Sequence, residues 1–269
     1  MTGCKVKVRR GQRCANRMAV VFSVVCALLS FSSVAIEHNC EAFRVGGYHD
    51  WKPVIYTETD TGDAAGLAKD LLTIVSNKLN IPHTFYNHFP WGETIEKVRR
   101  GELDILSGMY WTEKRTEHYL FTHSYLTDEL RLYSRKNEPF IFNNYTDLRD
   151  KVGVALKGVS WGNEFDEFQL KHNYKVIRVQ SAAEIFAMVI EGKADYFVMD
   201  RLEALFMFRK TIHRFSLAPK VFGLANVHFS MAKSSPCAKH IPAINRIIAQ
   251  LKDSGQLRRR IHRYSSQVQ

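Results

Sequence analysis

The sequence predicts an α/β protein built on a largely parallel sheet, and three observations carry that expectation. From residue 43 onward, short apolar strands alternate with amphipathic helices. Two such series of similar plan follow one another, and the chain ends on a return to the first. No internal repeat or low-complexity linker interrupts them, and no apolar run after residue 40 reaches the roughly 18 residues of a membrane span. The 269 residues suffice for one large or two medium domains with real cores.

The elements follow from the pattern in order. Phe43-Arg44-Val45-Gly46 opens as a strand. Over 66–79, Leu67, Leu71, Ile74, Val75 and Leu79 share one helical face, and Asn80-Ile81-Pro82 ends the run. Thr84-Phe85-Tyr86 resumes as strand. A helix-period segment over 91–100 stops at Gly101, followed by a strand over 103–107 whose end, Ser107-Gly108, reads as a small-residue turn. A new helix starts at Thr112 and carries Arg115. The second series opens with a strand at 130–133, a turn-helix at 144–148 and a strand at 152–155. It continues with a helix at 160–172, a strand at 176–179, a helix at 181–191, a strand at 196–199 and a helix at 201–210. The strand 227–232 and helices 238–253 and 255–264 close the chain.

The first 35 residues are of a different kind. Lys5, Lys7, Arg9, Arg10, Arg13 and Arg17 precede an apolar run over 18–29 and a small-x-small end at Ser33 and Ala35. This predicts a secretory signal peptide over 1–35 cut after Ala35, with Met18 as an alternative start. A large residue, Val25, before Cys26 argues against a lipid anchor. Without these six basic residues the chain has 32 basic against 27 acidic residues, so +5 replaces the headline +11. That excludes a charge-based case for nucleic acid; Arg258-Arg259-Arg260 reads as the solvated face of a terminal helix. Cys40 and Cys237 are the cysteines left in an oxidising compartment, as a disulfide or as two separate thiols. No metal or cofactor motif is present.

The stretch 91–125, WGETIEKVRRGELDILSGMYWTEKRTEHYLFTHSY, carries the functional information. A strand, a small turn and a helix start bearing an arginine suit an anion, because backbone N–H groups and a guanidinium converge there. Its order and spacing resemble the family 3 extracellular solute-binding proteins, periplasmic receptors for polar amino acids. The resemblance covers about residues 41–265 and implies a two-lobed type II periplasmic-binding-protein fold with a discontinuous first lobe. It places lobe 1 at 36–127 and 226–269 and lobe 2 at 128–225, with hinge crossings near 126–130 and 223–227.

The resemblance also assigns roles. Arg115, with Ser107 and Gly108, would hold a ligand carboxylate; read alone, Arg115 is a solvent-exposed helix residue. Asp200, ending the strand 196–199, would take the ligand ammonium and also reads as a helix N-cap. Ser160 would add a hydroxyl from lobe 2 or cap helix 161–172, and Val159 departs from the family's pattern beside it. Trp51 and Trp91 would flank the ligand, although each alone reads as core. Tyr110 stands where a small hydroxyl residue is usual. Tyr48 replaces an acidic residue that receptors for basic ligands use, which disfavours lysine or arginine unless Asp50 substitutes.

The expected protein is therefore a monomeric periplasmic receptor that closes on a zwitterion, a polar or aromatic amino acid, for an inner-membrane ABC permease. A ligand sensor without transport and a dehydratase-like enzyme using Glu164 or Glu203 are the rival readings. No hydrolase, nucleotide or metal-site motif supports an enzyme.

Overall fold

The computed structural model describes residues 39–208 and 210–266. The expected signal peptide over 1–35 lies outside them. Strand β1 (Phe43–Gly46) leads into a small antiparallel sheet of β2 (Asp50–Trp51), β3 (Ile55–Thr57) and β4 (Ala64–Ala65). Then come α1 (Leu67–Leu79), β5 (His83–Tyr86), α2 (Trp91–Arg99), β6 (Ile105–Tyr110), the single turn α3 (Glu113–Thr116) and β7 (Tyr119–Phe121). The second series comprises β8 (Leu126–Arg135), a 3-10 turn (Tyr145–Leu148), β9 (Gly153–Leu156), α4 (Asn163–His172), β10 (Val176–Val179), α5 (Ala182–Ile190), β11 (Tyr196–Asp200) and α6 (Arg201–Phe208). Strands β12 (Phe215–Leu217) and β13 (Gly223–Ala232) and helices α7 (Ile241–Asp253) and α8 (Gln256–Ser266) complete the chain.

The main sheet runs β10-β9-β11-β8-β13-β6-β1-β5, with β12 beside β8 and β7 beside β13. Its flanks are parallel: β5, β1 and β6 on one side, β10, β9 and β11 on the other. The two ten-residue strands β8 and β13 join these flanks. They pair antiparallel from Leu126↔Val227 to Leu130↔Gly223. Beyond that ladder β8 continues against β11 and β12, whereas β13 continues against β6 and β7. A sheet connected through one such antiparallel pair is the two-lobed α/β fold that the family resemblance implied.

Local chemistry explains the frame. In α1 the face of Leu67, Leu71, Leu72 and Val75 is buried, and Asn80 ends the helix in the left-handed region at φ 54°. Asp104, nearly fully buried, accepts from Arg44 Nε and Nη2 at 2.8 Å each and from the Arg44 backbone N–H at 2.9 Å. The carboxylate of the 103–106 segment is thus a staple between β1 and β6, satisfied by a charged fork. Cys40 and Cys237 form a disulfide, joining the start of the first series to the turn before α7.

Three expectations are corrected. Ser107 and Gly108 do not form a turn; they lie inside β6, which starts and ends later than expected. A Cβ on Gly108 would lie 2.6 Å from Trp51 Cζ3, so the small residue admits an aromatic ring rather than bending the chain. Helix α4 begins at Asn163 instead of 160, because Ser160 and Trp161 form a turn and Gly162 adopts φ 97°. The last strand begins at Gly223 rather than 227, since its first half is the ladder with β8.

Candidate functional site

From the first flank, β6 delivers Gly108, Met109 and Tyr110 to a cavity, and the loop and turn that follow deliver Arg115. Thr112 caps α3, its Oγ1 accepting the Arg115 backbone N–H at 3.2 Å. That turn points the guanidinium back toward the strand, where Nη1 donates to the Tyr110 carbonyl at 2.7 Å. Nη2 donates to the carbonyl of Gly158 at 2.8 Å, in the loop after β9 on the opposite flank. The Glu113 N–H donates to Asn163 Oδ1 at 2.8 Å, a second contact between the flanks. Burial lowers the Arg115 pKa to about 10, and Asp166 is the leading opposing influence.

Aromatic rings wall the cavity. Trp51, on the small sheet, meets Tyr110 edge-on with centroids 5.5 Å apart. Tyr48, Trp91 and Trp161 also line it, and all four residues other than Tyr110 are largely buried. Trp91 opens α2 after Pro90 and packs beside Gly158.

From the second flank come Ser160, Trp161, Val198, Met199, Asp200 and Glu203. Ser160 Oγ accepts the Gly162 N–H at 3.0 Å, and the Trp161 N–H donates to Asp166 Oδ1 at 3.2 Å. Ser160 is therefore a turn residue rather than the cap of α4, whose preceding residue is Gly162. Asp200 Oδ1 accepts the N–H groups of Leu202 and Glu203 at 2.9 and 3.0 Å, so it does cap α6 while lining the cavity. An outer, wider cavity adjoins the inner one at Met109, Arg115, Val159 and Ser160, and contains Asp166 and Arg178.

The acidic groups of the inner cavity shape its electrostatics. Burial lifts Asp200 to about 6, partly opposed by the backbone N–H groups of its cap. Burial and the neighbouring Asp200 and Asp128 raise Glu203 well above the ordinary range. Asp128, on β8, is raised by burial and by Asp200, while the Tyr110 hydroxyl donating to its Oδ2 at 2.8 Å opposes this. The phenol of Tyr110 is itself raised by burial and by Asp128.

Eight of the nine residues expected at a ligand site line this one cavity: Tyr48, Trp51, Trp91, Gly108, Tyr110, Arg115, Ser160 and Asp200. Ser107 does not; it points to the other face of β6, where a Cβ on Gly47 would lie 2.5 Å from its Oγ. Glu164 is exposed on α4, away from the cavity, whereas Glu203 lines it. Sequence reading passed over Trp161 and Asp128. A signal for Asp128 existed: it alternates with Leu126, Leu130 and Leu132 on a face that is otherwise apolar.

The L-cystine-binding protein TcyA of Bacillus subtilis is 19% identical over 214 residues, covering 79% of this chain and 77% of the relative. An amino acid ABC transporter substrate-binding protein of Streptococcus pneumoniae, solved bound to L-arginine, superposes with a TM-score of 0.70 at 18% identity, covering 85% and 96% of the two chains. A histidine kinase sensor domain with similarity to periplasmic binding proteins gives 0.72 at 18% identity, covering 83% and 95%. The sequence matches the model of the bacterial extracellular solute-binding proteins, family 3, over residues 43–267, nearly the whole described chain, and the protein belongs to that family.

Proposed function

We propose that this protein captures a free amino acid between its two lobes and presents it to an inner-membrane ABC permease. One observation carries the reading: Arg115 from the first flank and Asp200 from the second line a single, aromatic-walled cavity. Opposite charges on opposite lobes are both satisfied by a zwitterion, and closure removes water from both contacts and strengthens them. A polar or aromatic side chain suits the rings of Tyr48, Trp51, Trp91 and Tyr110. TcyA, named for L-cystine, and the arginine-bound transporter protein support the amino-acid class.

In this reading lobe 1 spans 36–127 and 226–269, lobe 2 spans 128–225, and the β8–β13 ladder is the hinge. The protein acts as a monomer in the periplasm after loss of residues 1–35, and it binds its ligand without turning it over. Binding-linked stabilisation tests this directly. A thermal-shift screen of the twenty amino acids is expected to find a ligand, and calorimetry to find one site that Arg115→Ala weakens by about 2–5 kcal/mol. An Arg115→Ala protein that binds within about threefold of the parent would remove Arg115 as the carboxylate anchor. Product formation from a bound carboxylic acid would favour a dehydratase instead.

A sensing output is the second reading, favoured by Tyr110 standing where transport relatives are expected to carry a small residue. It predicts ligand-driven closure with no dependence of uptake on the gene.

A further inference from the structure

We propose that the cleft selects an amino acid whose side chain carries its own positive charge, with Glu203, backed by Asp128, holding that second cation. The proposal rests on the amino-acid reading above and reverses the expectation drawn from Tyr48.

The inner cavity is unbalanced in charge. Asp200 and Glu203 line it, and Asp128 accepts from the hydroxyl of Tyr110, which also lines it. Among the described residues, none of the three forms an ion pair with a lysine or arginine. The charged groups acting on Glu203 are Asp200, Asp128 and Asp50, all of the same sign. Asp50 has Lys52 and His49 beside it, so it has partial compensation that Glu203 lacks. Arg115 does not supply it: the charged groups acting on it are Asp166 and Arg178, which line the outer cavity. A ligand ammonium held by Asp200 alone therefore leaves Glu203 without a cation, while Asp128 keeps the Tyr110 hydroxyl as its donor. Buried carboxylates are costly unless they are protonated or matched by a cation.

A second, independent feature lies in the same cavity. Trp161 is 4% exposed and lines the same space, yet its indole N–H has no acceptor among the described residues. An unanswered buried donor fits a ligand oxygen, while the Glu203 carboxyl accepts from no donor among the described residues. Trp51, Tyr48 and Tyr110 wall the same cavity, and aromatic rings favour an alkyl chain ending in a cation.

Calorimetry on the purified protein with two isosteric pairs, L-lysine against L-2-aminoheptanoic acid and L-arginine against L-citrulline, decides the matter. The charged member of at least one pair is expected to bind about 30-fold or more tightly than its neutral partner. Glu203→Gln should shrink that preference to about threefold or less while sparing the neutral ligand. Should Glu203→Gln fail to fold by circular dichroism, Asp128→Asn serves as the second variant, with the same expected loss of preference. Equal binding within both pairs, or equal losses for charged and neutral ligands in the variant, would overturn the proposal. Binding of neutral amino acids alone would sink it and leave the amino-acid reading standing. Binding of no amino acid would sink both.

Discussion

The hydroxyl of Tyr110 donates to Asp128 Oδ2 at 2.8 Å, linking the end of β6 to a buried carboxylate on β8. The two strands are not neighbours in the sheet; β13 lies between them. The contact therefore crosses the strand that belongs to both flanks, beside the ladder through which the lobes are joined. It also places a bulky ring, rather than a small hydroxyl, against Trp51.

Tyr110→Phe leaves Asp128 buried without its donor. The expected loss is about 1–3 kcal/mol of unfolding free energy, because an unpaired buried acceptor keeps its full desolvation penalty. Denaturant melts of Tyr110→Phe, Asp128→Asn and the double variant measure it as a coupling energy. Strictly additive effects would mean that the bond contributes nothing.

Asp200 gives a pH dependence whose sign can be worked out. Its carboxyl is raised from 3.8 to about 6, so folding draws a proton onto it between those values. The cost of holding it charged is present in full above about pH 6 and fades as pH falls toward 4. Asp200→Asn keeps an oxygen to accept the Leu202 and Glu203 N–H groups, so the cap survives. Without ligand, the variant should melt higher than the parent at pH 7.5, with the gap closing toward pH 4.5. A constant gap across that range would contradict the assignment. With ligand, the variant should weaken an amino acid by about 2 kcal/mol or more, and its des-amino analogue far less.

Gly108→Ala forces a Cβ to within 2.6 Å of the Trp51 ring. Overpacking of this kind costs about 1–3 kcal/mol and should push the indole into the cavity. Both stability and ligand affinity are therefore expected to fall, and Trp51→Leu in the same chain should recover the stability. An unchanged midpoint in urea would show that the ring moves away freely.

The Cys40–Cys237 bridge closes a sequence separation of 197 residues. The chain-entropy relation assigns such a loop about 5 kcal/mol. Reduction, or the paired change to serine, should lower the unfolding midpoint by a corresponding amount. Equal midpoints for the oxidised and reduced protein would argue that the link constrains little.

Much of this architecture was legible in the linear sequence, because strand and helix periods are local. Leu67, Leu71 and Val75 announce a helix face whatever packs on it, and the strands at 43–46 and 176–179 fall where the apolar runs place them. The spacing from Trp91 to Arg115, and the aspartate closing the strand at 196–200, also survive translation into one dimension. What failed was the meaning of small residues. Ser107-Gly108 is strand rather than turn because a tryptophan more than fifty positions earlier lies over it, and no local rule contains that approach. The start of α4 slipped for a similar reason, since Asp166 holds the Trp161 N–H and delays the helix by three residues. Only tertiary structure brought Asp128, Trp161, Asp200 and Glu203 together. Burial and unpaired charge are properties of a shared space, and separate segments had to close around it before three ordinary carboxyl groups became an unbalanced site.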